Sequence, residues 1–485
     1  MLNKLLVQLF RCNIKAVALL SLVYCLLFNS AIILFKFDYY KADLAFGALE
    51  LLKEFLQIFI PNFIIFLSLS LSRPLLITGS VFLFFTAAVA SYSVFFFKIF
   101  PTKQIIRALF ENEVSESVEI LSIRVVIWVI LAILISLSLS IKAKTKQSII
   151  LPSICLVVFI SNIIMPQYKV LRSYFPIQYL HNSYLYYLDK FHNPEKKDIS
   201  QGVDFIISSD DDIIGVIVVG EAARYDHFSL NGYERETTPL LAKIPNLVSF
   251  EAEAHANLTY LSVPYMFSNL PRDKISEAIY ETSVLSILTK LGVETSWVGS
   301  QSLLKYLQGY TKENIYHEVN MAIIPGGSAL YQMNALDEVM LPYFDNILER
   351  KGKKFVVLHT SGSHWNYSSR YPKEFEHFKP VCASEVKMDH TVCSKDELVN
   401  IYDNSVLYTD YIIDQVIARL KGKNAFLIYV SDHGESLGEE GRYTHGAQPM
   451  PKEQTSIPFI FWGSNKFLSQ YPSLLEHLKA RRNQI

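Results

Sequence analysis

The sequence predicts a protein of two parts: a bundle of membrane-spanning helices, followed by an α/β domain outside the membrane. Hydrophobic residues make up 51% of the 485 residues and charged residues only 19%, and the apolar excess lies almost entirely before residue 170. After this point, short apolar runs alternate with helical patterns, which is typical of a parallel sheet with helices on both faces. The formal net charge of -1 gives no argument for nucleic acid as a partner.

Five apolar stretches before residue 170 are each long enough to cross a bilayer, which takes about 20 residues. The first is followed by four more, so we interpret it as an anchor rather than as a cleaved signal peptide. Residues 1–167 are therefore predicted to form a transmembrane domain with five helices, near Ile14 to Phe35, Phe46 to Leu71, Leu75 to Phe97, Val125 to Ile141 and Ile149 to Met165.

Lysines and arginines indicate the orientation of this domain, because the short cytoplasmic loops of membrane proteins are rich in both. They lie in three regions on one side of the predicted bundle: Lys4, Arg11 and Lys15, then Arg73, then Lys142, Lys144 and Lys146. This side is predicted to be cytoplasmic. With five helices, the whole chain after the fifth helix lies on the opposite side.

A connecting segment, residues 168–209, is predicted between the two domains. Its first half, from Tyr168 to Asn193, mixes aromatic with basic residues, a composition that is typical of a membrane interface. The alternative is a connecting helix whose aromatic side chains pack on the soluble domain, and both interpretations can hold. The second half, from Pro194 to Ser209, is polar, as expected of a linker.

Residues 210–485 are predicted to form the α/β domain. Its strand candidates are short apolar runs, and its helix candidates have apolar residues at helical spacing. The strand candidates are Ile213–Val219, Glu294–Val298, Phe355–Leu358 and Phe426–Val430, and the helix candidates are Leu285–Leu291 and Glu397–Leu420.

The five cysteines fall into two groups. Cys12, Cys25 and Cys155 lie in or beside the predicted membrane helices, whereas Cys382 and Cys393 lie in a short polar part of the α/β domain. In an oxidising compartment the latter pair is expected to form a disulfide. Two free thiols are the alternative.

Side chains that can bind a metal ion follow two of the predicted strands. Glu221 follows the first strand, and Asp432 and His433 follow the last, where Gly434 opens the backbone. Ligands of open α/β sheets gather at the carboxyl ends of strands, and imidazole with carboxylate oxygens suits zinc or a similar divalent ion. Either motif alone could be a polar surface turn. Because the pattern recurs at two strand ends, we predict that the three side chains bind one metal ion.

Three further histidines stand close to strand ends. His359 and His364 lie five residues apart after the strand Phe355–Leu358, and His445 lies in the segment Tyr443–Gly446. Each one alone could be a hydrogen-bonded surface histidine. Together with His433 they favour a single functional site.

The segment Ala256–Pro264 offers two hydroxyls for group-transfer chemistry, those of Thr259 and Ser262. It is predicted to be a loop that leads into a helix, and the free N–H groups at a helix N-terminus bind anions. A metal ion beside a hydroxyl lowers the pKa of that hydroxyl and makes it a nucleophile. For Thr259, a simple N-cap is an equally good interpretation of this segment alone.

These residues together resemble the phosphoethanolamine transferases of the alkaline phosphatase superfamily, in particular the lipid A-modifying branch that includes the mobile colistin-resistance proteins. Five helices before a soluble domain are similar as well, so the resemblance extends over nearly the whole chain. The motifs that carry it are Gly220-Glu221, Arg224-Tyr225-Asp226-His227, Gly232-Tyr233, Arg235, Thr238-Pro239, Leu358-His359-Thr360, Gly362-Ser363-His364, Tyr402-Asp403-Asn404, Ser431 to Glu439, His445-Gly446 and Pro451-Lys452-Glu453-Gln454.

The resemblance implies an α/β domain of the alkaline phosphatase or sulfatase type, with a zinc ion and a nucleophilic threonine. The zinc ligands that it implies are Glu221, Thr259, Asp432 and His433. The substrate-binding residues that it implies are His359, His364, His445, Lys305 and Gln301. Among these, His364 and His445 would contact the phosphate or a second zinc ion.

One position departs from the pattern of the lipid A branch, which has a threonine where this chain has Asn257, counted back from Ser262. Thr259 lies three residues before Ser262, where other branches place the nucleophile, and we therefore assign this role to Thr259. The cysteines that members of the lipid A branch have nearby are absent from this segment, which leaves the acceptor open.

The resemblance implies transfer of phosphoethanolamine from phosphatidylethanolamine to an envelope acceptor such as lipid A. It places the protein in a bacterial inner membrane, with the catalytic domain in the periplasm. A related phosphoglycerol or other phosphoryl-group transferase is an alternative. A sulfatase would need a Cys/Ser-x-Pro-x-Arg segment near Thr259, and the chain has none there, which argues against that activity. A non-catalytic lipid-binding envelope protein on the same fold is favoured by Asn257 but opposed by the intact metal-ligand motifs.

Overall fold

A computed structural model describes the protein over residues 14–39, 44–111, 123–143, 150–164, 173–191, 197–201, 212–300, 336–382 and 393–481. The chain divides into two compact units: residues 1–110 with 121–193, and residues 111–120 with 194–485. The first unit is helical, and the second is built around a β-sheet. The division near residue 193 falls within the predicted connecting segment, whose limits at 168 and 209 stay a prediction.

The first unit consists of helices, most of them apolar. Two π-helical turns, Cys25–Asn29 and Ser93–Phe97, continue helical stretches rather than end them. In chain order the helices are α1 (Ile14–Tyr24), α2 (Ser30–Tyr39), α3 (Leu44–Leu69), α4 (Arg73–Tyr92), α5 (Lys103–Glu111), α6 (Ile123–Lys142), α7 (Ile150–Ile164) and α8 (Ile177–Phe191).

Four helical stretches of the first unit are long and apolar enough to cross a membrane, and they confirm four of the five predicted spans. They are Ile14–Leu34, Leu51–Leu69, Arg73–Phe97 and Ile123–Lys142. The fifth predicted span contains α7, whose apolar part among the described residues is the shorter stretch Pro152–Ser161. Membrane helices are thus confirmed, whereas the count of five stays a prediction.

Aromatic rings fill the core of the first unit. Tyr24, Phe28, Phe66 and Phe84 make edge-to-face contacts with ring centroids 5.1 to 6.2 Å apart. This is the arrangement that the quadrupoles of the rings favour. Large apolar side chains are exposed on the outside of the bundle, as contact with lipid requires: Leu26, Phe82, Ile127 and Val157 are examples.

Helix α8 and the residues before it carry aromatic side chains of the predicted connecting segment. Phe175, Tyr179 and Tyr186 are buried in the core of the first unit. Two buried asparagines hold the backbone of Phe175: its N–H donates to Asn29 Oδ1 at 2.9 Å, and its C=O accepts from Asn29 Nδ2 at 3.2 Å and from Asn62 Nδ2 at 3.1 Å. These three aromatic residues therefore pack among the helices of the first unit.

The second unit contains a six-stranded sheet and a separate two-stranded pair. Its strands are β1 (Ile214–Gly220), β2 (Leu247–Glu253), β3 (Glu294–Gly299), β4 (Lys354–His359), β5 (Ala425–Ser431), β6 (Ser436–Leu437), β7 (Tyr443–Thr444) and β8 (Ser456–Gly463). The order in the large sheet is β2-β8-β5-β1-β4-β3, and β6 pairs with β7. The four central and neighbouring strands β5, β1, β4 and β3 are parallel, whereas β8 and β2 are joined by antiparallel pairing.

The four predicted strands are confirmed and are parallel to one another, but the prediction of a parallel sheet missed an antiparallel part. Strands β2 and β8 add an antiparallel edge that the apolar runs did not indicate. In this edge Glu251 of β2 lies opposite Pro458 of β8. A charged residue and a proline are not typical of a strand that is buried on both faces, so neither segment resembles its parallel neighbours.

The described helices of the second unit include both predicted ones. They are α9 (Thr259–Met266), α10 (Val284–Lys290), α11 (Leu341–Leu348), α12 (Lys395–Leu420), α13 (Lys452–Thr455), α14 (Asn465–Gln470) and α15 (Leu474–Ala480). Helix α12 begins at a capping box in which Ser394 and Glu397 bind each other's backbone N–H. Apolar residues of α12, such as Ile413 and Ile417, pack in one core with Val216 and Leu427 of the sheet.

The predicted disulfide between Cys382 and Cys393 is present, with Cα atoms 5.4 Å apart. Cys25 and Cys155 are buried within the first unit. Cys12 lies outside the described residues. The predicted pairing of Cys382 with Cys393 is thereby confirmed.

Candidate metal and active site

The sheet brings three of the predicted motifs to one edge. Strand β1 lies between β4 and β5, and all three run in the same direction. Their registers align Val219 with His359 and Gly220 with Ser431. Glu221 therefore emerges between His359 on one side and the Asp432-His433 turn on the other.

Glu221, Asp432 and His433 form a buried cluster that fits a metal ion. One potential ligand atom from each lies within 4.8 Å of the others. The Nε2 atom of His433 is 3.5 Å from Glu221 Oε1 and 3.5 Å from Asp432 Oδ2. All three side chains are buried. Carboxylate oxygens and an imidazole at this spacing can bind zinc or a similar divalent ion.

Backbone groups orient two of these ligands. Asp432 Oδ1 accepts hydrogen bonds from the N–H of Ala222 at 3.2 Å and of His433 at 2.7 Å. Asp432 Oδ2 has no hydrogen-bond partner within the described parts of the chain. His433 Nδ1 lies 2.9 Å from the carbonyl of Gly434, which can only accept, so the proton is on Nδ1. The lone pair on Nε2 therefore faces the carboxylates, as a metal ligand requires.

Burial sets the protonation state of His433. Removal from water lowers the pKa of this imidazole below its ordinary value, and the carboxylate of Asp432 raises it in part. The imidazole is therefore neutral near pH 7, which is the form that binds metal ions. Two carboxylates buried side by side repel each other, and a divalent cation would remove that repulsion.

Thr259 is the first residue of α9, and its side chain points into the metal-ligand cluster. Thr259 Oγ1 donates to Glu221 Oε2 at 3.2 Å and lies 3.4 Å from His433 Nε2. The N-cap of α9 is Leu258, which makes no side-chain cap, so the interpretation of Thr259 as a simple N-cap is wrong. The competing hydroxyl of Ser262 donates to the carbonyl of Ala256 at 3.0 Å. Of the two hydroxyls, that of Thr259 contacts the predicted ligands.

A second group of potential ligands adjoins the first and shares His433 with it. It consists of His433, Glu435 and His445. His445 Nδ1 lies 3.0 Å from Glu435 Oε2, and the His433 and His445 ring centroids are 4.3 Å apart. The ring of His364 lies 5.4 Å from that of His445. These imidazoles extend the polar site beyond the first cluster.

His359 occupies the end of β4 beneath this site. Its ring is buried against Trp297, with centroids 5.8 Å apart, and its Nε2 has no hydrogen-bond partner among the described residues. Burial lowers the pKa of His359 to about 4, although the charge of Asp432 raises it in part. His359 is therefore a neutral imidazole near the cluster. Gln301 and Lys305 lie outside the described residues, and their predicted substrate contacts stay a prediction.

The turn that carries Glu221 is held from two sides. Ala222 has a positive φ of 54°, which costs a non-glycine residue about 1 kcal/mol or more. The buried hydroxyl of Tyr402 donates to the Ala222 carbonyl at 2.8 Å and accepts from the N–H of Arg224 at 2.9 Å. On the other side, the N–H of Ser363 donates to the Glu221 carbonyl at 2.9 Å. The left-handed turn persists because these bonds stabilise it.

Sequence reasoning missed two acidic residues of this region. Glu435 is buried and contacts His445, and its position two residues after His433 was the signal for it. Asp337 is buried and accepts hydrogen bonds from the N–H groups of Ser361 and Gly362 at 2.7 and 3.0 Å. Burial raises the pKa of Asp337. Its segment carries no recognisable metal or catalytic pattern, so the sequence held no signal for its contact with this loop.

An α/β sheet with buried carboxylates, imidazoles and a hydroxyl at its carboxyl edge is the architecture of the alkaline phosphatase-like enzymes. Comparison with family models agrees with this class. Residues 214–484 match the family described as Sulfatase, and the chain belongs to it. Residues 59–187 match the family described as Phosphoethanolamine transferase EptA/EptB. The resemblance to phosphoethanolamine transferases is thereby confirmed.

Relatives of known name agree with this assignment. The chain is 34% identical over 283 residues to the Kdo(2)-lipid A phosphoethanolamine 7''-transferase of Salmonella typhimurium, covering 56% of this chain and 48% of that protein. It is 38% identical over 263 residues to the phosphatidylethanolamine transferase Mcr-1 of Escherichia coli, covering 51% and 48%. The chain thus spans about half the length of the curated relatives it matches.

Solved structures extend the similarity to both units. The integral membrane lipooligosaccharide phosphoethanolamine transferase A from Neisseria meningitidis superimposes with a TM-score of 0.83 at 27% identity. The match covers 97% of this chain and 92% of that chain. The soluble domain of the same enzyme matches at 32% identity with a TM-score of 0.54, covering 60% and 89%. Membrane helices followed by a sulfatase-like domain are therefore shared with that enzyme.

Proposed function

We propose that this protein transfers phosphoethanolamine from phosphatidylethanolamine to lipid A or another envelope acceptor. The observation that carries the proposal is the position of Thr259: its hydroxyl lies 3.2 Å from Glu221 Oε2 and 3.4 Å from His433 Nε2, at the start of a helix. The similarity to a Kdo(2)-lipid A phosphoethanolamine 7''-transferase and to the phosphatidylethanolamine transferase Mcr-1 supports the choice of donor and acceptor.

Zinc is the proposed metal, because the donors of the cluster fit it. Glu221, Asp432, His433 and Thr259 would hold the ion, whose charge would lower the pKa of the Thr259 hydroxyl and offset charge on the phosphoryl oxygens. The orphaned Oδ2 atom of Asp432 and the lone pair of His433 Nε2 support this assignment, since both point at the same place.

The first half of the reaction forms a covalent adduct on Thr259. Its Oγ1 attacks the phosphorus of phosphatidylethanolamine, the bond between phosphorus and the diacylglycerol oxygen breaks, and that oxygen takes up the proton that the threonine loses. Glu221 Oε2 accepts the hydrogen bond of the hydroxyl and thereby turns a lone pair of Oγ1 towards the substrate. Helix α9 begins at Thr259, and the positive end of its dipole favours negative charge on the phosphoryl oxygens.

The second half returns Thr259 to its free form. An acceptor hydroxyl or phosphate attacks the phosphorus, the bond from phosphorus to Thr259 Oγ1 breaks, and the threonine oxygen regains a proton from the acceptor. His364 and His445 extend from the cluster and are assigned to the phosphoryl oxygens. His359, Gln301 and Lys305 are assigned to the substrate, as the family resemblance implies.

The proposed topology has five spans, a cytoplasmic N-terminus and a catalytic unit in the periplasm of a bacterium with an inner membrane. It assigns residues 1–167 to the membrane, 168–209 to the connection and 210–485 to catalysis. The disulfide between Cys382 and Cys393 supports an oxidising compartment for the second unit. An export-dependent reporter fused after Ile485 should be active, whereas activity of a cytoplasm-only reporter at that position would contradict the topology.

Mass spectrometry of lipid A tests the proposed reaction. Bacteria with unmodified lipid A should gain phosphoethanolamine on it when they express this chain, and not when they express Thr259→Ala. Thr259→Ser is the matched control, because it keeps a hydroxyl and should keep part of the activity. Peptide mass spectrometry of the purified protein should locate the adduct on Thr259. An adduct on Ser262, or full modification by Thr259→Ala, would overturn the assignment.

A further inference from the structure

The motif Pro451-Lys452-Glu453-Gln454 has no part in the reaction described above, yet Gln454 is fully buried beside the site. We propose that Gln454 and Asn257 form a positioning pair, which holds the loop of Thr259 in register with the loops of His445 and His433. This inference rests on the proposed function for its effect on turnover. The contacts that carry it do not depend on that function.

The side chain of Gln454 joins three segments of the site. Its Oε1 accepts from Asn257 Nδ2 at 2.6 Å and from the N–H of Ala447 at 3.2 Å. Its Nε2 donates to the carbonyl of Thr444 at 2.8 Å and to Ser436 Oγ at 2.9 Å. All the hydrogen-bonding positions of the amide are thus occupied. Residues 444 and 447 flank His445, and Ser436 follows the Asp432-His433 turn.

The chemistry of the partners defines the orientation of both amides. The carbonyl of Thr444 can only accept, so the NH₂ group of Gln454 faces it, and the backbone N–H of Ala447 can only donate, so Oε1 faces that group. Asn257 Nδ2 also donates to the carbonyl of Ala447 at 2.9 Å. The two amides therefore form a single network in which a change from donor to acceptor cannot be accommodated by a flip.

The backbone of the same motif contacts the turn that carries Asp432 and His433. The carbonyl of Gln454 accepts from the N–H of Gly434 at 3.0 Å. A Cβ atom on Gly434 would lie 2.2 Å from the carbonyl oxygen of Glu453, so glycine is required at that position. The segment with Gln454 thus contacts the residue that follows His433 by its backbone and the loop of Thr259 by its side chain.

The pair explains why the chain has an asparagine where the lipid A branch has threonine. Asn257 lies two residues before Thr259 and is buried. Its NH₂ group supplies two donors, one to Gln454 and one to Ala447. Asn257 therefore ties the loop in front of the nucleophile to the loop of His445. The asparagine at this position thus has a structural role. Its presence is therefore a weaker argument for a non-catalytic protein.

Two measurements on the purified full-length protein test the pair: steady-state transfer kinetics and hydrogen exchange of backbone amides. Asn257→Asp keeps the shape of the side chain but places carboxylate oxygens against two acceptors. We expect kcat to fall about 100-fold with KM little changed, because a displacement of the nucleophile by about 1 Å costs about that much. Exchange should rise in residues 255–258 and also in residues 443–447. Gln454→Glu should show the same two effects.

The control is Asn246→Asp, which makes the same chemical change at an asparagine that pairs with Asn465 on the surface. It should keep the kcat and exchange pattern of the natural protein. If exchange rises throughout the second unit in Asn257→Asp, Asn257→Ala decides, because it removes the donors without adding a charge. Natural kcat and natural exchange of residues 443–447 in Asn257→Ala would overturn the pair.

Exchange separates this inference from the proposed function. If the natural protein transfers no phosphoethanolamine, the proposed function fails, and the exchange of residues 443–447 in the Asn257 variants still decides the pair. If transfer occurs and both Asn257 variants match the control in rate and exchange, the pair fails and the proposed function stands.

Discussion

Two buried clusters of carboxylate and imidazole lie in the second unit, and they differ in how many of their polar atoms have partners. One is the metal-ligand cluster of Glu221, Asp432 and His433. The other, which we call the Asp403 cluster, consists of Asp403, His227, Tyr233 and Arg235. Both occur in motifs that the family resemblance rests on, and their residue types alone do not tell them apart.

In the Asp403 cluster, both carboxylate oxygens of Asp403 have hydrogen-bond partners. Asp403 Oδ1 is 2.7 Å from His227 Nδ1, and Oδ2 accepts from the hydroxyl of Tyr233 at 2.9 Å and from Arg235 Nη1 at 2.6 Å. The guanidinium of Arg235 also stacks over Phe378 at 4.7 Å. A buried carboxylate with a cation and two further donors has little left to bind. This cluster therefore joins α12 to the loop after β1 and stabilises the fold.

The metal-ligand cluster is open by the same criterion. Asp432 Oδ2 has no hydrogen-bond partner in the described ranges, and His433 Nε2 faces two carboxylates from 3.5 Å without a proton to donate. An arrangement of this kind is unfavourable in a buried place unless a cation binds there. The comparison shows that a binding site differs from a structural cluster less in its residue types than in whether its buried polar atoms have hydrogen-bond partners.

The largest expected effect tests the open cluster directly. Asp432→Ala should lower transfer by on the order of 10³-fold or more, because it removes a ligand that holds charge next to the phosphoryl group. Zinc content of the purified protein, measured by elemental analysis, should fall, while far-ultraviolet circular dichroism stays unchanged. Asp403→Ala serves as the comparison and should retain its zinc. Natural zinc content and rate in Asp432→Ala would remove the distinction between the clusters.

Asp403→Ala should affect stability instead of metal binding. The substitution leaves Arg235 and His227 without the carboxylate that both contact. Loss of one partner from a buried ion pair lowers the free energy of unfolding by about 3–5 kcal/mol. Denaturant unfolding of the second unit, followed by tryptophan fluorescence, measures this loss. A variant that unfolds like the natural protein but no longer retains zinc would show that the Asp403 cluster belongs to the site.

The disulfide adds a smaller contribution next to the Asp403 cluster. Pro380 lies two residues before Cys382, and its carbonyl accepts from Asn400 Nδ2 at 2.8 Å. Replacement of Cys382 and Cys393 by serine should lower the free energy of unfolding by about 2–3 kcal/mol, since the bond closes a short loop. Zinc content should not change. Alkylation of the natural protein without reductant should leave both cysteines unlabelled, and ready labelling would contradict the disulfide.

Asp410 lies between the two extremes, and its expected effect is confined to the pH dependence of stability. Its two oxygens accept from the N–H groups of Leu240 and Leu241 at 2.9 Å, which is fewer donors than Asp403 has. Burial raises the pKa of Asp410 to about 7, although these bonds lower it in part. A carboxyl whose pKa is higher in the folded state stabilises the fold below its unfolded pKa, near 4, and this contribution is lost as the pH rises through 7.

The free energy of unfolding should therefore fall between pH 4 and pH 7, by at most about 1.4 kcal/mol per pH unit from this group. Asp410→Asn removes the titration, so its unfolding free energy should depend less on pH in this window. Denaturant unfolding at several pH values compares the two proteins. Identical slopes would place Asp410 with the Asp403 cluster.

Much of the architecture follows from residue patterns that act locally. Apolar length predicts the membrane helices, and the apolar runs of β1, β3, β4 and β5 predict their strands, since both depend on burial of neighbouring residues along the chain. The strands β2 and β8 were not predicted, because a charged residue, Glu251, and a proline, Pro458, interrupt their apolar pattern. The parallel or antiparallel direction of a strand is a property of its neighbours.

The sequence by itself determined which residues stand at the strand ends, and so which side chains could bind a metal ion: Glu221, Asp432 and His433. Only the tertiary structure decided which polar atoms remain available. It joined Thr259 to Glu221, Tyr402 to Ala222 and Asn257 to Gln454, across 38, 180 and 197 positions of sequence. Spacing along a strand sets where a side chain emerges, whereas hydrogen-bond partners come from distant segments that pack against it, and no local pattern encodes that packing.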